Sequence, residues 1–288
     1  MGQRGGQLID QCDSAISGHY SEGKSSSCKV DFFVLIMRKS PRYGWIKQRP
    51  DFRDYKFAPK PQAEAISYKV DLTETGFMPP VYNQGQIGSC TANAIAAAVD
   101  YERKKQDEEF IIPSRLFIYA NERLMEGTDL GNDSGAQIRD GIKSVSDLGV
   151  CPESLWPYHE NAFNIKPPQN CYDEALNDKA IQYHSVDSNN LMVALAQGNP
   201  VTAGITIYDS FEWPQVTEKG IVPMPKSNEH CLGGHAILLV GYDMQYKIYI
   251  ARNSWGSQWG QNGYFSLPFD YVHNADLASD FWVITQMS

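Results

Sequence analysis

The sequence predicts an α+β protein of two lobes, a run of helices followed by an antiparallel β-sheet. Three observations carry this expectation. Between residues 90 and 148 apolar residues recur at helical spacing, with good helix starts and stops. From residue 200 onward, short apolar stretches bounded by Gly, Asn and Asp read as strands. The two residues best suited to nucleophilic chemistry fall on either side of that division, Cys90 in the helical half and His235 in the strand half.

Residues 1 to about 65 differ from the rest of the chain. Gly, Ser and Lys crowd the start, an apolar run covers residues 30–37, and Pro41, Pro50, Pro59 and Pro61 punctuate a charged, aromatic stretch. Residues 1–6 are glycine-rich and lack the apolar core of a secretory signal. Gly2 suggests an acylation site, but Gly6 stands where Ser or Thr is needed. The run from Phe32 to Met37 is too short to span a bilayer.

The polar turn Asn83-Gln84-Gly85-Gln86-Ile87-Gly88-Ser89 leads into Cys90 and an alanine-rich run, so a helix should start at Cys90 with Ser89 as its N-cap and extend to Lys105. A thiolate is stabilised there by unpaired N–H groups and the positive end of the helix dipole. Two further helices are expected, one from Pro113-Ser114-Arg115 through Glu126 and one from Gln137 to Leu148, closed by Gly149. Cys151 to Asn170, with four prolines, reads as a long irregular loop, and Asn189 to Gln197 as a short helix. Pro200 to Tyr208 alternates as a strand. Further strands are expected over the apolar run opened by His235, over Lys247–Arg252, Gly263–Leu267 and Phe281–Thr285. Asn253 then ends the strand after His235, where its amide oxygen can accept an imidazole N–H and fix the tautomer. Gln84, six residues before Cys90, can join the Cys90 backbone N–H as an oxyanion donor.

These residues resemble the papain-like cysteine peptidases. The stretch Asn83 to Cys90 is similar to that family's Gln-to-Cys motif, and Asn253-Ser254-Trp255-Gly256-Ser257-Gln258-Trp259-Gly260-Gln261-Asn262-Gly263-Tyr264 is similar to its Asn-Ser-Trp-Gly block. His235 lies 145 residues after Cys90 and Asn253 163 after, near the roughly 130–150 of the family pattern. The resemblance implies a papain-like two-lobe fold, with a helical lobe carrying the Cys and an antiparallel β-sheet lobe carrying the His and Asn. It implies Cys90 as nucleophile, His235 as general base and acid, Asn253 as orienter, Gln84 in the oxyanion hole and Trp255 as a shield over the His–Asn hydrogen bond. Gly234 leaves room beside the base for a bulky apolar or aromatic substrate side chain, and Asp276 is the residue expected to admit a basic one instead.

The departures are Ile87, where the family usually has a Cys, and Thr91, where it has an aromatic residue. Gly233-Gly234-His235-Ala236 resembles the cathepsin B branch, without the His pair of that branch's occluding loop, so carboxydipeptidase activity is not expected. Similarity to bacterial and large-virus members is the closer one. A mature chain of the family begins a little over 20 residues before its nucleophile, which sets residues 1–65 apart as a candidate pro-segment and leaves 66–288 as the peptidase domain.

A net charge of −9 argues against a nucleic-acid backbone as the main partner. The expected partners are protein or peptide substrates and the chain's own N-terminal segment, with no membrane and a monomeric state. Six cysteines show no metal-ligand spacing, so neither metal nor cofactor is expected. Cys151 with Cys171, and Cys12 with Cys28, are as readily bridged as left as thiols. His159 in the long loop is a candidate substrate contact, although an exposed loop His is more often merely solvated, and His19, His184, His230 and His273 have no evident partners. The compartment stays open between a cell interior and a virion. Other classes are an acyltransferase or peptide ligase using the same Cys, His and Asn, and a non-catalytic peptide-binding module.

Overall fold

A computed structural model describes residues 40, 42–59, 66–108 and 111–288. The regular elements begin with strand β1 (Lys69–Asp71), followed by helices α1 (Cys90–Lys105), α2 (Arg115–Met125), α3 (Ile138–Asp147) and α4 (Gln169–Ala175). Then come β2 (Ala180–Ser185), α5 (Leu191–Ala196), β3 (Val201–Tyr208), α6 (Pro214–Lys219), β4 (Cys231–Asp243), β5 (Ile248–Arg252), β6 (Tyr264–Pro268), α7 (Phe269–Val272) and β7 (Ala278–Met287). The fold is α+β, as expected from the sequence. The strands form one antiparallel sheet in the order β2-β7-β3-β4-β5-β6, with β1 paired to β4.

Helix α1 lies between α2 and α3 on one side and β4 and β7 on the other. Its small residues explain that position. Ala94, Ala96, Ala97 and Ala98 are all buried, and each leaves space for a neighbouring backbone to approach. Enlarging one of them would overpack the core, typically at about 1–3 kcal/mol. Arg103, Lys104 and Lys105 place positive charge on the last turn, where the helix dipole favours it. Ser114 caps α2, its hydroxyl accepting the Phe117 N–H at 3.2 Å. Ser89 precedes α1 without capping it. Its hydroxyl is instead engaged with the Tyr158 hydroxyl at 2.6 Å and Asn93 Nδ2 at 3.0 Å.

Five elements are absent from the sequence expectations, the short β1 and α7 among them. α4 starts directly after Pro167-Pro168, a pair that reads as the end of a loop. β2 is the outermost strand, paired among the strands with β7, and its exposed Ile181 and Gln182 blur any alternation. α6 is a short segment opened by Pro214 and closed by Gly220 in the left-handed region (φ 62°). β4 is also longer than expected, because it starts at Cys231 rather than His235.

Residues 42–57 run over the junction of the helices and the sheet. Trp45 pairs in parallel with Ala136 on the helical side, where Ala136 N–H donates to Gly44 O at 2.9 Å and Ile46 N–H to Ala136 O at 3.0 Å. On the sheet side Trp45 N–H donates to Gly234 O at 3.0 Å. Farther on, Arg139 of α3 holds the Asp54 carboxylate through Nε (2.9 Å) and Nη2 (2.6 Å), and the Tyr55–Phe57 backbone exchanges hydrogen bonds with Ser185 of β2. Tyr43 and Trp45 are buried within the main core cluster. This segment is thus built into the fold at both ends.

Cys151 and Cys171 are free thiols, packed together with Phe117 and Ala175. Cys12 and Cys28 lie outside the described residues. Cys231 is disulfide-bonded, a role the sequence did not signal.

Candidate active site

The first turn of α1 and the middle of β4 meet under residues 42–45. Cys90, Gln84 and His235 are all fully buried. A small cavity beside them is lined by Asn93 and Ala94 of α1, Ala236 and Leu238 of β4, and Asn253 and Ser254 after β5. The residues singled out on three distant stretches of sequence are therefore gathered at one place.

His235 Nε2 is 2.8 Å from Asn253 Oδ1, which also accepts the Ser254 backbone N–H at 2.8 Å. With Asn253 Oδ1 as acceptor, Nε2 carries the proton and Nδ1 is left as an acceptor. His235 Nδ1 has no hydrogen-bond partner. Trp255 lies over the imidazole, its ring centroid 5.0 Å away, and is itself backed by Trp259 and Phe211. Burial pulls the His235 pKa down to about 4; the Asn253 hydrogen bond opposes this and the Arg42 guanidinium adds to it. The covered imidazole is consequently neutral at neutral pH.

Gln84 spans the two lobes. Its Oε1 accepts from Ser254 Oγ at 2.6 Å, and its Nε2 donates to Ile87 O and Arg42 O, both at 2.9 Å. The Arg42 carbonyl thus already occupies a donor beside the turn that leads to Cys90. Tyr43 stands edge-on to His235 at 6.2 Å, and Gly44 passes so close to Gly88 that a Cβ on Gly44 would lie 1.8 Å from Gly88 O. Trp45 fills the space beside Gly234.

Several residues at this site were not legible in the sequence. Asp133 accepts the Gly88 N–H with both carboxylate oxygens at 3.0 Å, and Glu160 accepts the Gln86 N–H at 2.7 Å. Tyr158 donates to Gln84 O at 2.8 Å. The irregular loop therefore buttresses the turn before Cys90, although no local pattern marks which of its polar residues do so. Thr91, which stands where the family has an aromatic residue, donates to Glu122 Oε1 at 2.6 Å, and burial raises the Glu122 pKa well above its usual range. A buried polar pair supports the Cys90 helix at this position.

Other expectations fall away from the site. Asp276 is exposed on the turn before β7, and the carboxylate that reaches the space beside Gly234 is Asp280. His230 Nδ1 is paired with Asp209 at 2.9 Å on the surface. Among the described residues there is no cluster of His, Cys, Asp and Glu suited to a metal ion, and no helix long and apolar enough to cross a membrane.

The family model described as "Papain family cysteine protease" matches residues 66–283. An uncharacterised peptidase C1-like protein of Acanthamoeba polyphaga mimivirus is 40% identical over 275 residues, covering 86% of this chain and 88% of that protein. The crystal structure of xylellain, a cysteine protease from Xylella fastidiosa, is 42% identical with a TM-score of 0.80, covering 88% of this chain and 99% of that one. The structure of a proCathepsin B from Trypanosoma congolense shares the fold at 15% identity, with a TM-score of 0.70 over 85% of this chain and 86% of that one. The bacterial and large-virus similarity expected from the sequence is thus present, and the chain belongs to the papain family of cysteine proteases.

Proposed function

We propose that this peptidase is an endopeptidase made as a latent precursor, in which residues 1–65 are the inhibitory segment and 66–288 the peptidase domain. Cys90 is the nucleophile, His235 the general base and acid, and Asn253 the residue that orients the imidazole. Gln84 and the Cys90 backbone N–H form the oxyanion hole, Trp255 shields the His–Asn pair, and Gly234 borders the substrate. The observation that carries this reading is the Arg42 carbonyl held by Gln84 Nε2 at 2.9 Å. A backbone carbonyl from the chain's own N-terminal segment sits where a substrate carbonyl would be polarised.

The chemistry follows from the positions. With the cleft open, His235 Nδ1 takes the thiol proton and the Cys90 thiolate attacks the peptide carbonyl carbon. The negative charge that forms on the carbonyl oxygen is met by the Gln84 amide and the Cys90 N–H. The imidazolium gives its proton to the departing amine as the C–N bond breaks, leaving a thioester on Cys90. His235 then takes a proton from water as hydroxide adds to the thioester; the C–S bond breaks to release the acid, and the imidazolium returns its proton to the Cys90 sulfur. In the covered state none of this can start, because residues 42–45 fill the cleft.

The test is labelling with an epoxysuccinyl peptide inhibitor of the full chain and of the chain cut after residue 65, with Cys90→Ala as control. Labelling of Cys90 only after the cut is the expected result. Equal labelling of both forms would remove latency from the proposal, and no labelling of either folded form would remove the assigned catalytic roles.

A further inference from the structure

We propose that Asp133 is a positioning residue for the oxyanion donor: through the peptide unit between Ile87 and Gly88 it fixes the direction in which the Gln84 amide donates. This rests on the oxyanion role given to Gln84 above. The Gln84 side chain has two protons on Nε2. One is held by Ile87 O and the other by Arg42 O, each at 2.9 Å, while Oε1 is held by Ser254 Oγ at 2.6 Å. The amide is planar, so once the oxygen and one proton are held, the direction of the second proton follows. With the cleft open, that second proton is the one left for the substrate oxygen. Its aim depends on how firmly Ile87 O is held.

Ile87 O belongs to the same planar unit as the Gly88 N–H, and in a trans peptide the two point in opposite directions. On the far side the Gly88 N–H donates to both carboxylate oxygens of Asp133 at 3.0 Å. A hydrogen bond to a carboxylate is about twice as strong as one between neutral groups, and it polarises the peptide so that its carbonyl becomes the better acceptor. Asp133 is fixed in turn from α2. The Tyr119 hydroxyl donates to Asp133 Oδ1 and accepts the Gly135 N–H at 3.1 Å. Arg123, fully buried, holds Leu130 O at 3.2 Å and Asn132 O at 2.8 Å on the loop just before Asp133. A series of bonds thus runs from α2 through Asp133 and one peptide unit to the Gln84 amide. Tyr119, Asp133, Gly88 and Ile87 all lie outside residues 1–65, so removal of that segment cuts none of these bonds.

The test compares Asp133→Asn, which keeps the shape of the side chain and removes its charge, with the parent protein, both with Gln84 intact and in Gln84→Ala. In the chain activated by cleavage after residue 65, kcat for a peptide should fall about tenfold in Asp133→Asn, with KM within twofold. In Gln84→Ala the same substitution should cost less than about twofold more, because the group it positions is gone. A loss that came from the charge of Asp133 on the Cys90 thiol, or from a looser turn, would persist at full size in Gln84→Ala and overturns the proposal. A second measurement needs no turnover. Exchange of the Gln84 side-chain amide protons is followed by NMR in the full chain, with the signals assigned by their absence in Gln84→Ala. It should quicken by about tenfold in Asp133→Asn, and an unchanged rate overturns the proposal. If Asp133→Asn does not fold, Tyr119→Phe, which loosens the carboxylate and keeps its charge, should give the same pattern at about threefold; additive loss in Gln84→Ala or unchanged exchange would overturn the proposal there too. Faster exchange in Asp133→Asn, together with a Gln84→Ala enzyme that turns over like the wild type, would leave the positioning standing and overturn the oxyanion role of Gln84 instead.

Discussion

The two halves of the site are held by different forces. The turn before Cys90 is tied by polar bonds that reach it from the helical lobe. Asp133 takes the Gly88 N–H, Glu160 takes the Gln86 N–H, and Tyr158 bonds to the Gln84 carbonyl. His235 has one side-chain hydrogen bond, to Asn253, and otherwise depends on Trp255 and Tyr43 for its surroundings. One of those two covers, Tyr43, belongs to the N-terminal segment. The turn before Cys90 has these ties from outside that segment, whereas the surroundings of His235 include two of the segment's side chains, Arg42 and Tyr43.

That contrast can be broken most severely at the nucleophile. Cys90→Ala should abolish inhibitor labelling and lower peptide turnover by at least about 10³-fold, with the melting temperature nearly unchanged because the turn keeps its polar ties. Gln84→Ala should cost about 10²–10³-fold in kcat. It also removes the donor to Arg42 O, so the uncut chain should label faster than wild type while the cut chain turns over more slowly. A variant that loses activity with no change in the labelling of the uncut chain would separate the two roles given to Gln84.

The covering segment should be loosened without touching the chemistry by Asp54→Ala. It breaks a nearly buried bidentate pair with Arg139, and leaving such a charge unpaired costs about 3 kcal/mol. Hydrogen exchange of the backbone amides of residues 45 and 46 in the uncut chain should quicken by about 10²-fold, while kcat of the cut enzyme stays within twofold of wild type.

The smallest effect expected is a dependence on pH. Burial pulls His235 from 6.5 to about 4 while covered, helped by Arg42 of the covering segment and opposed by the Asn253 hydrogen bond. Opening that returns the imidazole toward its ordinary value binds a proton, so acidification from above 6.5 toward 4 should favour opening. Exchange of residues 45 and 46, corrected for intrinsic rates, should rise by about tenfold as pH falls through that window. A flat profile would show that covering does not alter His235 protonation.

Much of the site was legible because its residues are carried by local patterns. The Cys90 helix spans the expected residues, and the His235 and Asn253 stretches lie on adjoining strands as their apolar runs and turn required. What escaped depends on distant partners. Nothing near Asp133 or Glu160 says that they will accept backbone N–H groups 45 and 74 residues earlier in the chain. Asp276, expected beside the pocket, lies exposed for a similar reason: only the path of the chain into β7 turns it to solvent and brings Asp280 against Trp45. β2 and α4 were missed because an outer strand buries little and a proline pair masked the helix start.

The contact between Tyr55–Phe57 and Ser185 has a consequence once the N-terminal segment is gone. Those residues satisfy the outer N–H and carbonyl of Ser185, on the strand that bounds one side of the sheet. Cutting them away bares an edge strand whose hydrogen-bonding groups are open to another chain, with Ile181 already exposed beside them. Activation would thus turn a self-capped sheet into one able to recruit a strand, and the active enzyme should be more prone to self-association than its precursor.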